Sequence, residues 1–402
     1  MPEIAEVARC VHFLRQHLKG KTIRKVLAPK DSNVFGKVGT SGPAFEKALL
    51  GKRVLEVGSQ GKYFWMVLSS PPHPVMHLGM TGWVHIRGIQ TGYTRLIKRT
   101  KGEQKWPPRY WKFKLETDSD PRVEVAYTDA RRLGRIRLVD CPGEDIRKNS
   151  PLVENGPDPV IDKDVFTEEF LKQKMRSRHV SIKALLLNQA TVSGIGNWVA
   201  DEVLYQAKLH PEQYCDDFDD ADVRTLYETI MYVCNTAVEK LGDSDQFPDD
   251  WLFKHRWGKG KKDSPITLPN GDETTHITVA GRTSCLVPAV QKKKEKRPRA
   301  ARGEVRGDSA PEKVVEKIIE SHFFEGKGKN KKQANDGKAE ERPSKKAKTT
   351  ESEPAKQEDE HPKLPLIKTS QKSSQKKGEE MPNEPPSKLG TRRSGRLNSV
   401  AA

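Results

Sequence analysis

The apolar positions of the first twenty residues fall at helical spacing. Ile4, Val7, Val11, Leu14 and Leu18 share one face of a 3.6-residue period, which predicts a helix over 3–19 with Gly20 placed to end it. From 22 to 139 the period shortens. TIRKVLAP, RVLEVGSQ, KYFWMVLS, WVHIRG, RYWKFKLE, RVEVAYTD and RIRLVD are runs rich in β-branched and aromatic residues, separated by Gly, Pro, Asp and Ser. They predict the strands of a β-sandwich or barrel, so that residues 1–140 form one domain. The segment CPGEDIRKNSPLVENGPDP, residues 141–159, carries turn formers without a period and reads as a linker. Helical stripes return over 160–250, in VFTEEFLKQKMRSR, VSIKALLLNQ, GNWVADEVLYQAKL and ADVRTLYETIMYVCNTAVEKL. Residues 251–291 revert to strand-like runs, and TLPNGDETTHITVAGRTSCLVP predicts a β-hairpin around its Pro-Asn-Gly turn.

Composition changes the picture at the C-terminal end. From 292 to 402 Lys, Glu, Pro, Ser and Gly dominate, and apolar residues are too sparse to bury a core, which predicts a disordered tail. The tail holds the basic clusters KKKEKRPRAAR, KGKNKK, RPSKKAK and TRRSGR, which fit nuclear import or nonspecific DNA contact. The whole chain has a formal net charge of +17, a balance that favours a polyanionic partner. Its five cysteines are odd in number and contain no C-x-x-C pair. That argues against a disulfide framework and a four-cysteine zinc site, and for a reducing compartment. No apolar run approaches the ~18 residues of a membrane span. These features together predict a soluble nuclear protein.

The candidate chemistry begins at the first residues, Met-Pro-Glu. Methionine before proline is expected to be removed, which leaves Pro2 as a free secondary amine. An α-amino group has a reference pKa of about 8, against about 10.4 for lysine, so it is substantially neutral and nucleophilic near neutrality. Its attack on a sugar C1′ would give a charged iminium that serves as an electron sink for elimination. Many chains start Met-Pro-Glu, and the triplet by itself marks nothing.

The surrounding segments carry more. Pro2-Glu3-Ile4-Ala5-Glu6-Val7 resembles the Pro-Glu-Leu-Pro-Glu-Val opening of the formamidopyrimidine-DNA glycosylase / endonuclease VIII family, with Ala5 in place of the second proline. GKYFW (61–65), HLGMTGW (77–83), TDARRLGRIRL (128–138) and IKALLLNQATVSGIGNWVADEVLYQAKLHP (182–211) follow in the family's order. VAGRTSCLVPAVQK (279–292) resembles its terminal finger, so the resemblance covers residues 2–292. It implies an α+β multidomain fold: an N-terminal helix on a β-sandwich, a helix–two-turn–helix domain with a β-hairpin finger, and DNA in the cleft between domains.

The resemblance also implies roles. Pro2 would be the Schiff-base nucleophile. Glu3 would protonate the sugar ring oxygen and help open the ring; both it and Pro2 lie at a helix N-terminus, where the macrodipole stabilises an anionic carboxylate. Glu6, one turn away, would tune Glu3 or, by preference, hold local structure. Lys62 would bind a phosphate beside the lesion and assist β-elimination. Met80, Arg131 and Leu133 would enter the duplex where the damaged nucleotide leaves it, with core packing as the alternative for Met80. Leu133 stands where the family has an aromatic wedge and offers less stacking area, though an aliphatic wedge is physically adequate. Arg132, Lys183 and Asn197 would contact phosphates, and Gly194 and Gly196 would let backbone N–H groups approach the DNA. Glu202 would brace the fold or relay protons. Arg282, at the finger tip, would grip phosphates around the flipped nucleotide and promote δ-elimination.

Bacterial relatives bind zinc in the finger with four cysteines. Here the finger has only Cys285, with His276 its nearest potential partner, and two ligands cannot close a tetrahedral site. A zincless finger like that of plant and fungal relatives is expected, held by packing of Ile277, Val279, Leu286 and Val287. The connection Gly242 to Trp251 is short, where some bacterial members carry a longer loop over 8-oxoguanine.

The implied activity is a bifunctional DNA glycosylase and abasic-site lyase that removes formamidopyrimidines and hydantoins, acts weakly on 8-oxoguanine, and nicks by β,δ-elimination. No metal, nucleotide or redox cofactor is expected. The expected partner of the monomer is double-stranded DNA carrying oxidised bases or abasic sites. The alternatives are an endonuclease VIII-like specificity for oxidised pyrimidines, a non-catalytic damaged-DNA-binding protein on the same fold, and a basic structural chromatin protein.

Overall fold

A computed structural model describes residues 2–93, 105–257 and 266–294. The predicted disordered tail, from residue 295, lies outside the described residues. Residues 292–294, assigned to that tail from the sequence, are described, and the Lys294 N–H donates to the Gln213 side chain at 2.9 Å.

Helix α1 (Ile4–Leu18) forms where the apolar stripe predicts it, and the stripe is shared between two cores. Ile4 and Ala5 pack in the core of the helical domain, while Val7, Cys10, Val11, Leu14 and Leu18 pack in that of the sandwich. Apolar burial at both ends thus fixes one rod across the junction of two domains.

The sandwich has two four-stranded antiparallel sheets. One runs β1 (Ile23–Leu27), β6 (Trp111–Thr117), β7 (Glu124–Thr128), β5 (Trp83–Ile86); the other runs β2 (Val54–Gln60), β3 (Tyr63–Leu68), β4 (His73–His77), β8 (Arg135–Val139). Inward-facing residues alternate along each strand and meet in an aromatic centre. There Phe113 stacks on Tyr127, with ring centroids 5.6 Å apart, and tilts against Phe45 at 4.9 Å.

Two elements escaped the sequence pattern. Strand β4 was hidden by prolines 71, 72 and 74, which normally break a ladder. It pairs with β3 only from Val75 onward, so the missing N–H of Pro74 falls where that ladder has ended. Helix α2 (Gly42–Leu49) is too short to show a period; Ser41 caps it through the Ala44 N–H at 3.2 Å and Pro43 lies in its first turn. The segment 141–159 is also more than a linker. Cys141, Ile146 and Leu152 are buried against Trp65 and Val75 on the second sheet, and Arg147 ties it to Gln60 and Asp162.

The helical domain contains α3 (Glu168–Arg176), α4 (Ile182–Leu187), α5 (Asn197–Gln206) and α6 (Asp220–Glu239). Two turns, 188–196, join α4 to α5 and form the helix–two-turn–helix element. Among the described residues no helix is long and apolar enough to cross a membrane.

The finger is a hairpin of β9 (Thr275–Val279) and β10 (Arg282–Leu286), but its turn is not the Pro-Asn-Gly expected. The strands meet at Ala280 and Gly281, whose φ of 48° and 67° are the left-handed values that a two-residue hairpin turn requires. Pro269-Asn270-Gly271 closes a smaller turn upstream, where the Leu268 N–H donates to the Asp272 carbonyl at 2.9 Å.

Candidate active site and DNA interface

Helix α5 begins with N–H groups that have no partner inside the helix. The Glu3 carboxylate takes three such donors: Gly196 at 2.9 Å, Trp198 at 3.0 Å and Val199 at 3.1 Å. The anion therefore sits on the positive end of the α5 dipole, far along the chain from its own helix. Glu3 stands at the N-cap of α1 as well, where the sequence places it.

This arrangement corrects the role expected for the two glycines. A Cβ on Gly196 would lie 2.2 Å from Glu3 Cδ, and one on Gly194, at φ +94°, would lie 2.9 Å from Ile4 Cβ. The Gly196 N–H is taken by Glu3, and the Gly194 N–H donates to Gln189 Oε1 at 3.0 Å. Both glycines make room for the N-terminus and do not open the backbone to DNA. Gly194 also accepts the Ile4 N–H through its carbonyl at 3.1 Å, which fastens the chain beside Pro2.

Pro2 is buried next to this anchor. Glu6 accepts the Glu3 N–H at 2.8 Å, and burial together with the Glu3 charge pushes its carboxyl up to about 7. Lys62 leaves the β2–β3 turn with its ammonium donating to the Ile195 carbonyl at 2.8 Å. Burial pulls that ammonium down to about 8; the charge of Glu3 opposes the shift and that of Arg282 adds to it. Glu3, Lys62 and Arg282, dispersed through the sequence, thus share one electrostatic neighbourhood, and Pro2 adjoins Glu3 in the chain. His77, which sequence reasoning missed, is pushed down to about 3 by burial, with Lys62 contributing, and stays neutral near neutrality.

The residues expected to enter the duplex occupy two adjoining loops. Met80 is half-buried in the β4–β5 turn and belongs to none of the hydrophobic clusters. Arg131 is exposed and Leu133 half-buried between β7 and β8. Asp129, fully buried, joins the loops: it accepts from Thr81 Oγ1 at 2.5 Å, the Arg131 N–H at 3.1 Å and the Gly134 N–H at 2.7 Å. Arg132, expected on a phosphate, instead turns its guanidinium to Asp31, with contacts of 3.0 and 3.2 Å. Its φ of 56° swings the side chain to that carboxylate, which Lys112 also holds at 3.1 Å.

Lys183 requires the clearest correction. It is wholly buried, its ammonium donating to Asp201 and, at 2.6 Å, to Ser284 Oγ. A side chain so enclosed cannot reach a phosphate. Asn197, half-buried, donates to the Thr283 carbonyl of the finger at 2.9 Å. Glu202 braces the chain beyond α6 by accepting the N–H groups of Leu252 and Phe253 at 3.2 and 2.8 Å, and burial pushes its carboxyl up to about 7. In the finger Val279, Leu286 and Val287 are buried as expected, whereas Ile277 is half-buried. Among the described residues no group of three or more His, Cys, Asp or Glu side chains is placed to hold a metal ion.

Asp129, Asp201 and Arg256 were missed. Their signal was present in weak form: Asp201 stands among the apolar residues of a helix with almost no polar face, and an acid there needs a partner.

Residues 1–136 match the family model of the formamidopyrimidine-DNA glycosylase N-terminal domain, and residues 155–249 match that of the formamidopyrimidine-DNA glycosylase H2TH domain. A formamidopyrimidine-DNA glycosylase of Arabidopsis thaliana is 37% identical over 296 residues, or 73% of this chain and 71% of the relative. One from Heliobacterium modesticaldum is 30% identical over 298 residues, covering 73% of this chain and all of the relative. A crystal structure of the Lactococcus lactis enzyme, non-covalently bound to DNA containing an AP site, superposes with a TM-score of 0.57. It covers 72% of this chain at 24% identity and shares the fold.

The Glu3 anchor gives a direct test. Gly196→Ala puts a methyl group where the carboxylate lies, so the variant should fold, by circular dichroism, yet lose on the order of 100-fold in single-turnover strand cleavage. Cleavage within a few-fold of the parent would show that the Glu3–α5 contact does not set the site.

Proposed function

The chain belongs to the formamidopyrimidine-DNA glycosylase family, and we propose that it is a bifunctional glycosylase and abasic-site lyase of base excision repair, with Pro2 as its nucleophile. The observation that carries this reading is the pinning of Glu3, the neighbour of Pro2, on the N-terminus of α5 beside Lys62. Removal of Met1 would free the Pro2 amine there.

In this reading the Pro2 nitrogen bonds to C1′ of the damaged nucleotide while the glycosidic C–N bond breaks, and the base leaves as an anion that takes a proton from water. The Glu3 carboxylate accepts the proton released by the Pro2 nitrogen and passes it to the ring oxygen, the C1′–O bond breaks, and a charged iminium results. A C2′ proton is then lost, the electron pair flows toward the iminium, and the 3′ phosphate leaves; a second elimination expels the 5′ phosphate. Lys62 and Arg282 would hold and neutralise those phosphates. The partner is double-stranded DNA with oxidised bases or abasic sites. Met80, Arg131 and Leu133 would fill the gap left by the flipped nucleotide, offsetting a few kcal/mol of lost stacking. A non-catalytic DNA-binding protein would have no use for an anchored Pro2-Glu3 pair.

Lesion preference is read from the short connection between Gly242 and Trp251. Among the described residues Phe247 and Trp251 are buried in the helical core, and Glu202 holds the next two N–H groups, so this stretch is docked against the helices. The reading therefore favours formamidopyrimidines and hydantoins over 8-oxoguanine. The tail clusters support nuclear residence, through import or DNA contact.

Three outcomes are expected. Borohydride reduction during turnover should crosslink lesion DNA to the N-terminal residue, and mapping the bond to a lysine would overturn the mechanism. Single-turnover excision of formamidopyrimidines and hydantoins should outpace that of 8-oxoguanine; the reverse order would refute the assigned preference. Removing residues 295–402 should leave lesion cleavage intact while abolishing nuclear accumulation of a tagged chain, and unchanged accumulation would show that the tail carries no address.

A further inference from the structure

The finger is fastened through a buried ionic cluster. Asp201, on α5, accepts from Lys183 Nζ, from Arg256 Nη2 at 2.5 Å and from the Cys285 N–H at 3.2 Å. Lys183 reaches on to Ser284 Oγ at 2.6 Å, and the neighbouring Asn197 amide holds the Thr283 carbonyl at 2.9 Å. Three consecutive residues of β10, immediately after Arg282, are therefore hooked to the helix–two-turn–helix element. The other strand is caught as well, because the carbonyl of Arg256 contacts His276 Nε2 at 3.2 Å. Asp201 and Lys183 are 1% and 0% exposed, so water does not compete for these bonds.

We propose that Asp201 is a positioning residue that fixes the register of the finger, and through it the placement of Arg282, in the manner of a bound metal ion. Apolar packing cannot do this alone. It is non-directional, and β9 offers it a single fully buried residue, Val279. Hydrogen bonds to a fixed carboxylate are directional. A slip of one residue along β10 would carry Arg282 about 3.3 Å and turn it to the opposite face of the hairpin. The carboxylate does two things at once: it compensates two buried cations and supplies the acceptor for a strand N–H. The proposal rests on the reading of Arg282 as the residue that promotes δ-elimination.

The test uses the full chain and two variants. Asp201→Asn removes the charge at the centre of the cluster. Ser284→Ala removes only the Lys183 hook, keeps both ion pairs, and carries the test if Asp201→Asn does not fold. Amide hydrogen exchange over 282–286 is read first and should quicken by about tenfold in either variant. The ratio of δ- to β-elimination products from abasic-site DNA is read next, per borohydride-trapped enzyme, a quantity that the folded fraction does not move. It should fall as it does in Arg282→Ala, and combining Arg282→Ala with either variant should lower it no further. Parental exchange in both variants overturns the proposal. Faster exchange with a parental ratio, when Arg282→Ala shifts it, overturns the positioning role. A parental ratio in Arg282→Ala itself refutes the elimination role given to Arg282, and exchange then decides alone whether Asp201 holds the finger.

Discussion

The carboxylate of Glu3 on the N-terminus of α5 is the contact from which the rest of the site follows. A chain terminus is ordinarily the most mobile part of a fold. Here the third residue is held by three N–H donors of a helix that lies in another domain. The contact is possible only because residue 196 has no side chain. It also explains why α1 buries its first turn in one core and its remainder in the other. The helix must cross the domain junction to deliver its N-terminus to α5, and its apolar face follows that path. Donors that a helix would otherwise leave to water thus become the socket for a carboxylate.

How much of this was legible depended on the kind of signal. Period and turn chemistry located α1, most strands and the four helices of the second domain, because each is a local property. They failed where a local rule was suspended by tertiary context. Pro74 is tolerated because the β3–β4 ladder stops at Val75, and Ala280-Gly281 turns the hairpin although Asn270-Gly271 is the stronger turn signal. Family motifs identified Pro2, Glu3, Lys62 and Arg282, and the fold does gather them. The same motifs misled at Lys183, Gly194 and Gly196. A lysine or a glycine in a DNA-binding segment invites a phosphate, and only the packing shows that their partners lie inside the protein.

The misread residues share a cause. Lysine is almost never fully buried unless paired, so a sequence reading places it in solvent by default. Lys183 escapes that rule because Asp201 is buried with it, and Asp201 because it has two cations. Neither residue makes physical sense without the other, and they lie on different helices. A cluster of this sort need not add stability, since an apolar replacement of equal volume would often be as stable. What it supplies is a fixed geometry for the strand that follows Arg282.

The choice of nucleophile looks different once the site is assembled. From sequence, Pro2 was preferred because an α-amino group is less basic than a lysine by more than two pKa units. Burial removes most of that advantage, since it brings Lys62 down to about 8, close to the reference value of an α-amino group. Deprotonation alone therefore no longer separates the two amines of this corner. Two other properties do. The Lys62 ammonium is held by the Ile195 carbonyl, whereas Pro2 lies next to the carboxylate that would open the sugar ring. A secondary amine also condenses to an iminium that has no N–H proton to lose. Its charge, and with it the electron sink for elimination, persists at any pH, whereas a lysine imine would have to be protonated in a pocket whose burial disfavours cations. Position and the chemistry of the adduct set Pro2 apart from Lys62, and basicity does so only secondarily.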